Sequence, residues 1–151
     1  MKLDRTDWQI LAALQNDARQ SFTALGEIVG LSSPAVTERV RKLEAVGIIQ
    51  KYTTQLDLAA LGITIQAFVK LTTSPQHYPH IHNLVGETPA FLECHHLTGD
   101  ASFIIRVVTD SLPQLETLLQ KLSRYGTTQT SLVLSTPLSQ KVITPEVLES
   151  F

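Results

Sequence analysis

The stretch Phe22-Thr-Ala-Leu-Gly-Glu-Ile-Val-Gly-Leu-Ser-Ser-Pro-Ala-Val-Thr-Glu-Arg-Val-Arg-Lys-Leu-Glu-Ala-Val-Gly47 decides the fold. Leu25, Ile28 and Val29 recur at i, i+3 and i+4, the period of one helix face. Gly30 ends that helix and Leu31 plugs the corner after it. Ser32-Ser33-Pro34 restarts the chain. A serine here is expected to accept a hydrogen bond from the orphan N–H groups of a new helix. Proline is tolerated in that first turn because its missing N–H has no partner there. Val36, Val40 and Leu43, at i, i+4 and i+7, form the buried stripe of the second helix, and Thr37, Glu38, Arg41 and Lys42 its other face. A tightly turned helix pair whose second member shows such a face is a helix-turn-helix, whose recognition helix enters the DNA major groove. The pair alone does not decide DNA binding, because the same pattern occurs in all-α domains with other roles.

The chain outside the pair bounds the answer. Its 151 residues suit one domain or two small ones, and 43% hydrophobic with 17% charged residues describes a globular protein with a packed core. No apolar run approaches the ~18 residues of a membrane span. Acids at Asp4 and Asp7 stand where a signal peptide has its apolar region, so a cytoplasmic chain with no membrane partner is expected. Cys94 is the single cysteine, which excludes an intrachain disulfide. The net charge of −2 divides into +1 through Leu56 and −3 beyond it. Affinity for DNA therefore has to come from local placement of charge and from several contacts, not from a globally basic surface.

In chain order, Leu3 to Asn16 reads as a helix that braces the pair, with Leu3, Trp8, Ile10, Leu11 and Leu14 as its apolar face and Asp4 or Thr6 as its cap. After Gly47, Ile48, Ile49, Tyr52 and Thr53 are strand formers, and the extended segment through Asp57 reads as a small wing or a linker. Leu58 to Gly62 reads as one helical turn. Strand, helix, strand, strand, helix and strand follow over 63–73, 78–85, 90–97, 102–109, 112–122 and 127–136. The third strand, dense in Phe103, Ile104, Ile105, Val107 and Val108, reads as buried on both faces. The order β-α-β-β-α-β is the split unit of ferredoxin-like domains. Its helices cover one sheet face, and a symmetry mate is the simplest cover for the other. The fold class is thus α+β: a helix-turn-helix (winged-helix-like) domain over 1–50, a hinge over 51–62, a ferredoxin-like domain over 63–137 and a tail over 138–151.

On these residues the sequence resembles the Lrp/AsnC (leucine-responsive/asparagine-responsive, feast/famine) regulators. The resemblance runs from Leu3-Asp4, Asp7 and Ile10-Leu11 through Ala18-Arg19, Val29-Gly30-Leu31-Ser32, Val36, Arg39-Val40, Leu43-Glu44 and Gly47-Ile48-Ile49. It continues at Tyr52, Leu61-Gly62, Thr98-Gly99-Asp100 and Thr130 to Leu134. It implies a DNA-binding transcriptional regulator that dimerises through its C-terminal module, that in many relatives assembles into octamers, and that senses small amino acids without a cofactor. The turn Thr98-Gly99-Asp100-Ala101-Ser102 and the segment Thr127-Thr128-Gln129-Thr130 correspond to the borders of the effector pocket in relatives. Two departures stand out. Gly26 occupies a site where relatives usually carry alanine, and Ala101-Ser102 replaces an aromatic residue and an aspartate. The second change removes a carboxylate that would bind an α-ammonium group, leaving Asp100 to supply one.

The DNA-facing residues expected on this reading are Ser32, Ser33, Pro34, Thr37, Glu38, Arg39, Arg41 and Lys42, with Glu38 suited to a cytosine amine. Arg39 flanks the buried stripe, so a phosphate contact and a structural ion pair fit it equally. Three rival readings stay open. One is an architectural protein that wraps DNA without an effector. Another is a metal sensor built on His77, His80, His82, Cys94, His95 and His96, although neighbours on a strand point to opposite faces. The third is a ferredoxin-like enzyme, for which the sequence shows no nucleophile–base arrangement, phosphate loop or carboxylate pair. The expectation is that the chain has no catalytic residues and no metal ligands.

Overall fold

The computed structural model describes residues 2–150. The chain forms two compact units. One runs to Gln55 and takes in the chain from Leu138 on; the other is Leu56–Pro137. Among the described residues no helix is long and apolar enough to cross a membrane.

The first unit holds α1 (Arg5–Asn16), α2 (Phe22–Val29) and α3 (Ser33–Ala45). Asp4 caps α1 in a capping box: its carboxylate accepts the Asp7 N–H at 2.8 Å, and Asp7 accepts the Asp4 N–H at 3.1 Å. The apolar stripes read from the sequence meet in one core of Ile10, Leu11, Leu14, Leu25, Val36, Val40 and Leu43. Gly30 closes α2 in the left-handed conformation, φ 71°, which glycine adopts without a Cβ clash. Ser32 is the N-cap of α3, but its side chain makes no capping bond, contrary to expectation. Pro34 in the first turn has no N–H, so one of the donors that a cap would serve is missing.

The segment after α3 forms no strand among the described residues, so the wing is absent as a ladder and residues 50–57 are irregular. Strand formers stay unpaired when no neighbouring backbone offers a register. Tyr52 instead donates its hydroxyl to Glu44 Oε1 at 2.8 Å, holding this segment to the end of α3. The tail belongs to this unit too. It carries a short helix, α6 (Glu146–Glu149), and is bonded to α1 through Gln15.

The second unit is β1 (Ile65–Thr72), α4 (Tyr78–Glu87), β2 (Phe91–His96), β3 (Phe103–Thr109), α5 (Leu112–Ser123) and β4 (Thr127–Leu132). The antiparallel sheet has the order β2-β3-β1-β4. This is the ferredoxin-like arrangement expected. Alternate residues Ala67, Val69 and Leu71 of β1 and Phe103, Ile105 and Val107 of β3 face Ile81 of α4 and Leu115, Leu118 and Leu122 of α5, closing the core. Helix α4 runs through Gly86 rather than ending before it, and β4 stops at Leu132, short of Thr136. Nor is β3 buried on both faces: Ile104 and Arg106 are only half-buried on the side the helices leave open. Phe68, opposite Arg106, is 39% exposed on that same side.

Candidate nucleic-acid interface and sensor end

In the first unit, packing sorts the side chains of α3. Val36, Val40 and Leu43 are fully enclosed, which fixes the helix about its axis. Glu38, Arg41 and Lys42 are exposed, and among the described residues none of the three makes a side-chain hydrogen bond or ion pair. Thr37 is half-buried, and its hydroxyl donates to the Ser33 carbonyl one turn back at 2.8 Å. What Thr37 offers outward is therefore its methyl group and its lone pairs. Ser32 and Pro34 are exposed at the helix start, and Ser33 is half-buried. The free N–H groups there add positive potential suited to a phosphate.

Arg39 separates from this set. Its Nη1 donates to Asp4 Oδ2 and to Asp7 Oδ1, both at 2.7 Å. Of its two sequence readings, the structure displays the ion pair. The Asp7 N–H bond and then the Arg39 guanidinium hold the Asp4 carboxyl below its usual range, and the two carboxylates raise the Arg39 pKa. Asp7, buried and joined to α3 through Arg39, went unread as a bracing residue. The spacing Asp4-x-x-Asp7, a short-armed capping box, was the available signal.

In the second unit, the end of β1 gathers the two segments singled out from the sequence. Thr72 pairs with Thr127 in register, and its hydroxyl donates to the Asp100 carbonyl at 3.0 Å. Ser102 Oγ donates to the Thr73 carbonyl at 2.9 Å and accepts the Thr73 N–H at 3.1 Å, as a backbone partner would. Thr73 in turn donates its hydroxyl to the Tyr125 carbonyl, which His77 Nδ1 also approaches at 3.0 Å. A carbonyl only accepts, so Nδ1 carries the proton. Thr98, Gly99, Asp100 and Ala101 form the turn, with Gly99 at φ 102°. The β4 residues divide: Thr127 and Gln129 lie on the open face with Lys70, and Thr128 and Thr130 on the helix face with Leu71 and Val69. No local pattern signals the Thr73–Tyr125 link, whose ends lie 52 positions apart.

The histidines do not converge. His95 faces Glu93 across 3.6 Å, His77 is engaged at Tyr125, and His80 stacks on the Tyr125 ring. His82, Cys94 and His96 border a hollow of about 390 Å³ with Phe103. Among the described residues no three His, Cys, Asp or Glu side chains are grouped to hold a metal. Burial pushes the Cys94 thiol up, away from the thiolate that a soft metal needs.

A braced helix-turn-helix with a free outer face, followed by a ferredoxin-like sheet module, is the two-unit architecture of a helix-turn-helix regulator. The family model of the AsnC-type helix-turn-helix domain matches residues 3–44, and that of the Lrp/AsnC ligand binding domain residues 66–143. The HTH-type transcriptional regulator LrpC of Bacillus subtilis is 35% identical over 135 residues, covering 89% of this chain and 94% of its own. The solved structure of LrpC superposes with a TM-score of 0.88 at 34% identity, over 93% of this chain and all of that one. The transcriptional regulator NMB0573 of Neisseria meningitidis, solved in complex with L-Met, superposes with a TM-score of 0.90 at 25% identity, over 97% of this chain and 99% of that one. The chain belongs to the Lrp/AsnC family of helix-turn-helix transcriptional regulators.

Proposed function

We propose that the chain acts in the cytoplasm as a sequence-specific regulator that binds double-stranded DNA as a homodimer and answers to a small amino acid. The observation that carries the DNA reading is the unengaged outer face of α3, where Glu38, Arg41 and Lys42 project without an internal partner while the neighbouring Arg39 has two. Arg41 and Lys42 supply donors for guanine edges or phosphates, Glu38 accepts from a cytosine amine, and the Thr37 methyl suits a thymine methyl. A mobility-shift titration on operator DNA selected from a random pool tests this assignment. Arg41→Ala is expected to weaken binding about tenfold or more, and unchanged affinity removes it.

Dimerisation is assigned to the open sheet face. Phe68 and Ile104 lie there beside Arg106, which bonds Glu93 at 2.7 Å and Gln66 at 3.1 Å, and Arg106 lowers the Glu93 pKa. An apolar centre ringed by satisfied polar groups is the surface a two-fold mate covers. Two recognition helices then meet half-sites about one helical turn, or a multiple, apart. The effector reading is supported by the Neisseria relative solved with L-Met and by Asp100, whose carboxylate suits an ammonium group. A thermal-shift screen of the common amino acids tests it, since a ligand of the native state raises the apparent Tm.

One observation favours the architectural alternative: the Ser102 hydroxyl is bonded inward to Thr73 and orders the turn with no ligand. Footprinting separates the two readings. A few ordered sites mark a regulator, and continuous periodic protection at any sequence marks a wrapping protein.

A further inference from the structure

The chain passes between its two units twice. It leaves the DNA-binding unit after Gln55 and re-enters it at Leu138. The return is anchored at one place. The Gln15 amide, on the last turn of α1, accepts the Ile143 N–H at 2.9 Å and donates to the Ile143 carbonyl at 3.0 Å. Its Nε2 also donates to the Leu11 carbonyl at 3.2 Å, so both amide hydrogens and the oxygen have partners and the side chain is held in one orientation. This is a side-chain amide pairing with backbone as a neighbouring strand would. Around it lies an apolar groove of about 610 Å³, bordered by Leu3, Trp8, Leu11, Leu14, Tyr52 and Ile143. The tail thus lies against the same helix that braces the recognition helix.

We propose that the tail is a second tether that fixes the orientation of the DNA-binding unit, with Gln15 as the positioning residue that holds it. A unit attached by one irregular segment can rotate about that segment, and a second attachment removes the freedom. The segment from Val133 to Val142 is irregular and holds ten residues, so it extends at most about 35 Å. Because the hinge already keeps the units together, clamping is intramolecular and is favoured by a high effective concentration. The tether starts just after β4, the strand that carries Thr127 to Thr130. The consequence falls on operator geometry: the clamp narrows the half-site spacings that both recognition helices can meet at once. This rests on the homodimeric DNA-binding reading above.

The test uses the full chain, Gln15→Glu, and a chain ending at Pro137. Gln15→Glu keeps an acceptor for the Ile143 N–H but sets a carboxylate oxygen against the Ile143 carbonyl. Two readouts are taken. Trp8, the sole tryptophan, borders the groove, so tail release is expected to shift its emission to the red in both variants. Mobility shifts are then run on selected half-sites placed at a series of spacings, and on a single half-site. The full chain is expected to prefer one spacing by on the order of a hundredfold, the gain from simultaneous engagement. Both variants should lose most of that preference and keep the affinity for a single half-site, whereas a merely structural role lowers all probes in parallel. An unshifted Trp8 emission in the shortened chain overturns the proposal, as does an unchanged spacing preference once the emission has shifted. A full chain with no spacing preference overturns the homodimeric reading and the tether with it, and shows this before any substitution is made.

Discussion

The outer face of α3 and the end of β1 are both polar, yet they handle their polar groups in opposite ways. On α3, Glu38, Arg41 and Lys42 stand in solvent without an internal partner. At the end of β1, Thr72, Thr73, Ser102 and His77 are bonded to carbonyls and N–H groups of the chain itself. A group satisfied by solvent exchanges water for a partner at little cost, whereas a group bonded inside must first break a bond. The first region is therefore built to receive, and the second to hold segments in place. The contrast can be broken at each end.

The largest effect is expected within α3, from two arginines two positions apart. Arg39→Ala removes the one guanidinium that Asp4 and Asp7 share and leaves the buried Asp7 carboxylate short of a donor. Stability of the first unit should fall by about 1–3 kcal/mol, read as a lower midpoint in urea. Arg41→Ala should leave that midpoint within about 0.5 kcal/mol and act on DNA affinity alone. If the two variants exchange phenotypes, the division of the helix into an inner and an outer arginine is wrong.

At the other end, Ser102→Ala deletes a hydroxyl that makes two bonds to Thr73. A loss of about 1–2 kcal/mol is expected, with hydrogen exchange accelerated over residues 98–102 and 127–128 rather than over the first unit. A variant as stable as the parent would show that the turn is held by its backbone pairing alone. That pairing is the Ser102 N–H to the Leu71 carbonyl and the Leu97 N–H to the Ser102 carbonyl, each at 2.9 Å.

How far each region was legible follows from the same contrast. The stripes of α1, α2 and α3 and the β-α-β-β-α-β order were readable because apolar periodicity is a local property of the chain. The outer face of α3 was readable as the complement of Val36, Val40 and Leu43. Arg39 was not, since its partners lie thirty-two and thirty-five positions away. The same holds for Gln15 and Ile143, separated by 128 positions, and for Thr73 and Tyr125, separated by 52. Hydrogen bonds between distant polar residues leave no period to detect. Gly26 shows the limit at a single site. By helix propensity it costs about 1 kcal/mol against alanine, but a Cβ here would lie 2.5 Å from the Leu31 carbonyl oxygen. The turn between α2 and α3 closes so tightly that the propensity argument points the wrong way.

A smaller effect in the first unit depends on pH. The Asp4 carboxyl is held below its ordinary value of 3.8 by the Asp7 N–H and by Arg39. A carboxyl depressed in the native state stabilises above its unfolded pKa, and that contribution is lost as pH falls through the native value. The bracing of α1 to α3 should therefore stay constant above about pH 4 and weaken below it. Arg39→Ala should flatten that acid dependence in part, since the Asp7 N–H remains. An acid limb of undiminished slope in the variant would show that other carboxylates govern it.

The smallest effect is expected where the two behaviours meet, at the irregular segment after α3. Tyr52 is 47% exposed, yet its hydroxyl is engaged by Glu44, and partial burial followed by the Glu44 carboxylate pushes its pKa up to about 12. For a phenol, a raised native pKa means that the protonated form is favoured by folding. The stabilisation is fully present below pH 10 and is lost as pH rises from 10 toward 12. Tyr52→Phe keeps a ring in the groove lining that Leu3 and Trp8 share and removes only the bond. It should lower the midpoint at neutral pH by no more than about 1 kcal/mol and delete the tyrosine absorbance phase near pH 12. Glu44→Gln keeps an acceptor but removes the charge, so it should move that phase downward without deleting it. If the phase survives Tyr52→Phe, Tyr52 does not carry it and joins Glu38, Arg41 and Lys42 among the groups left free for a partner.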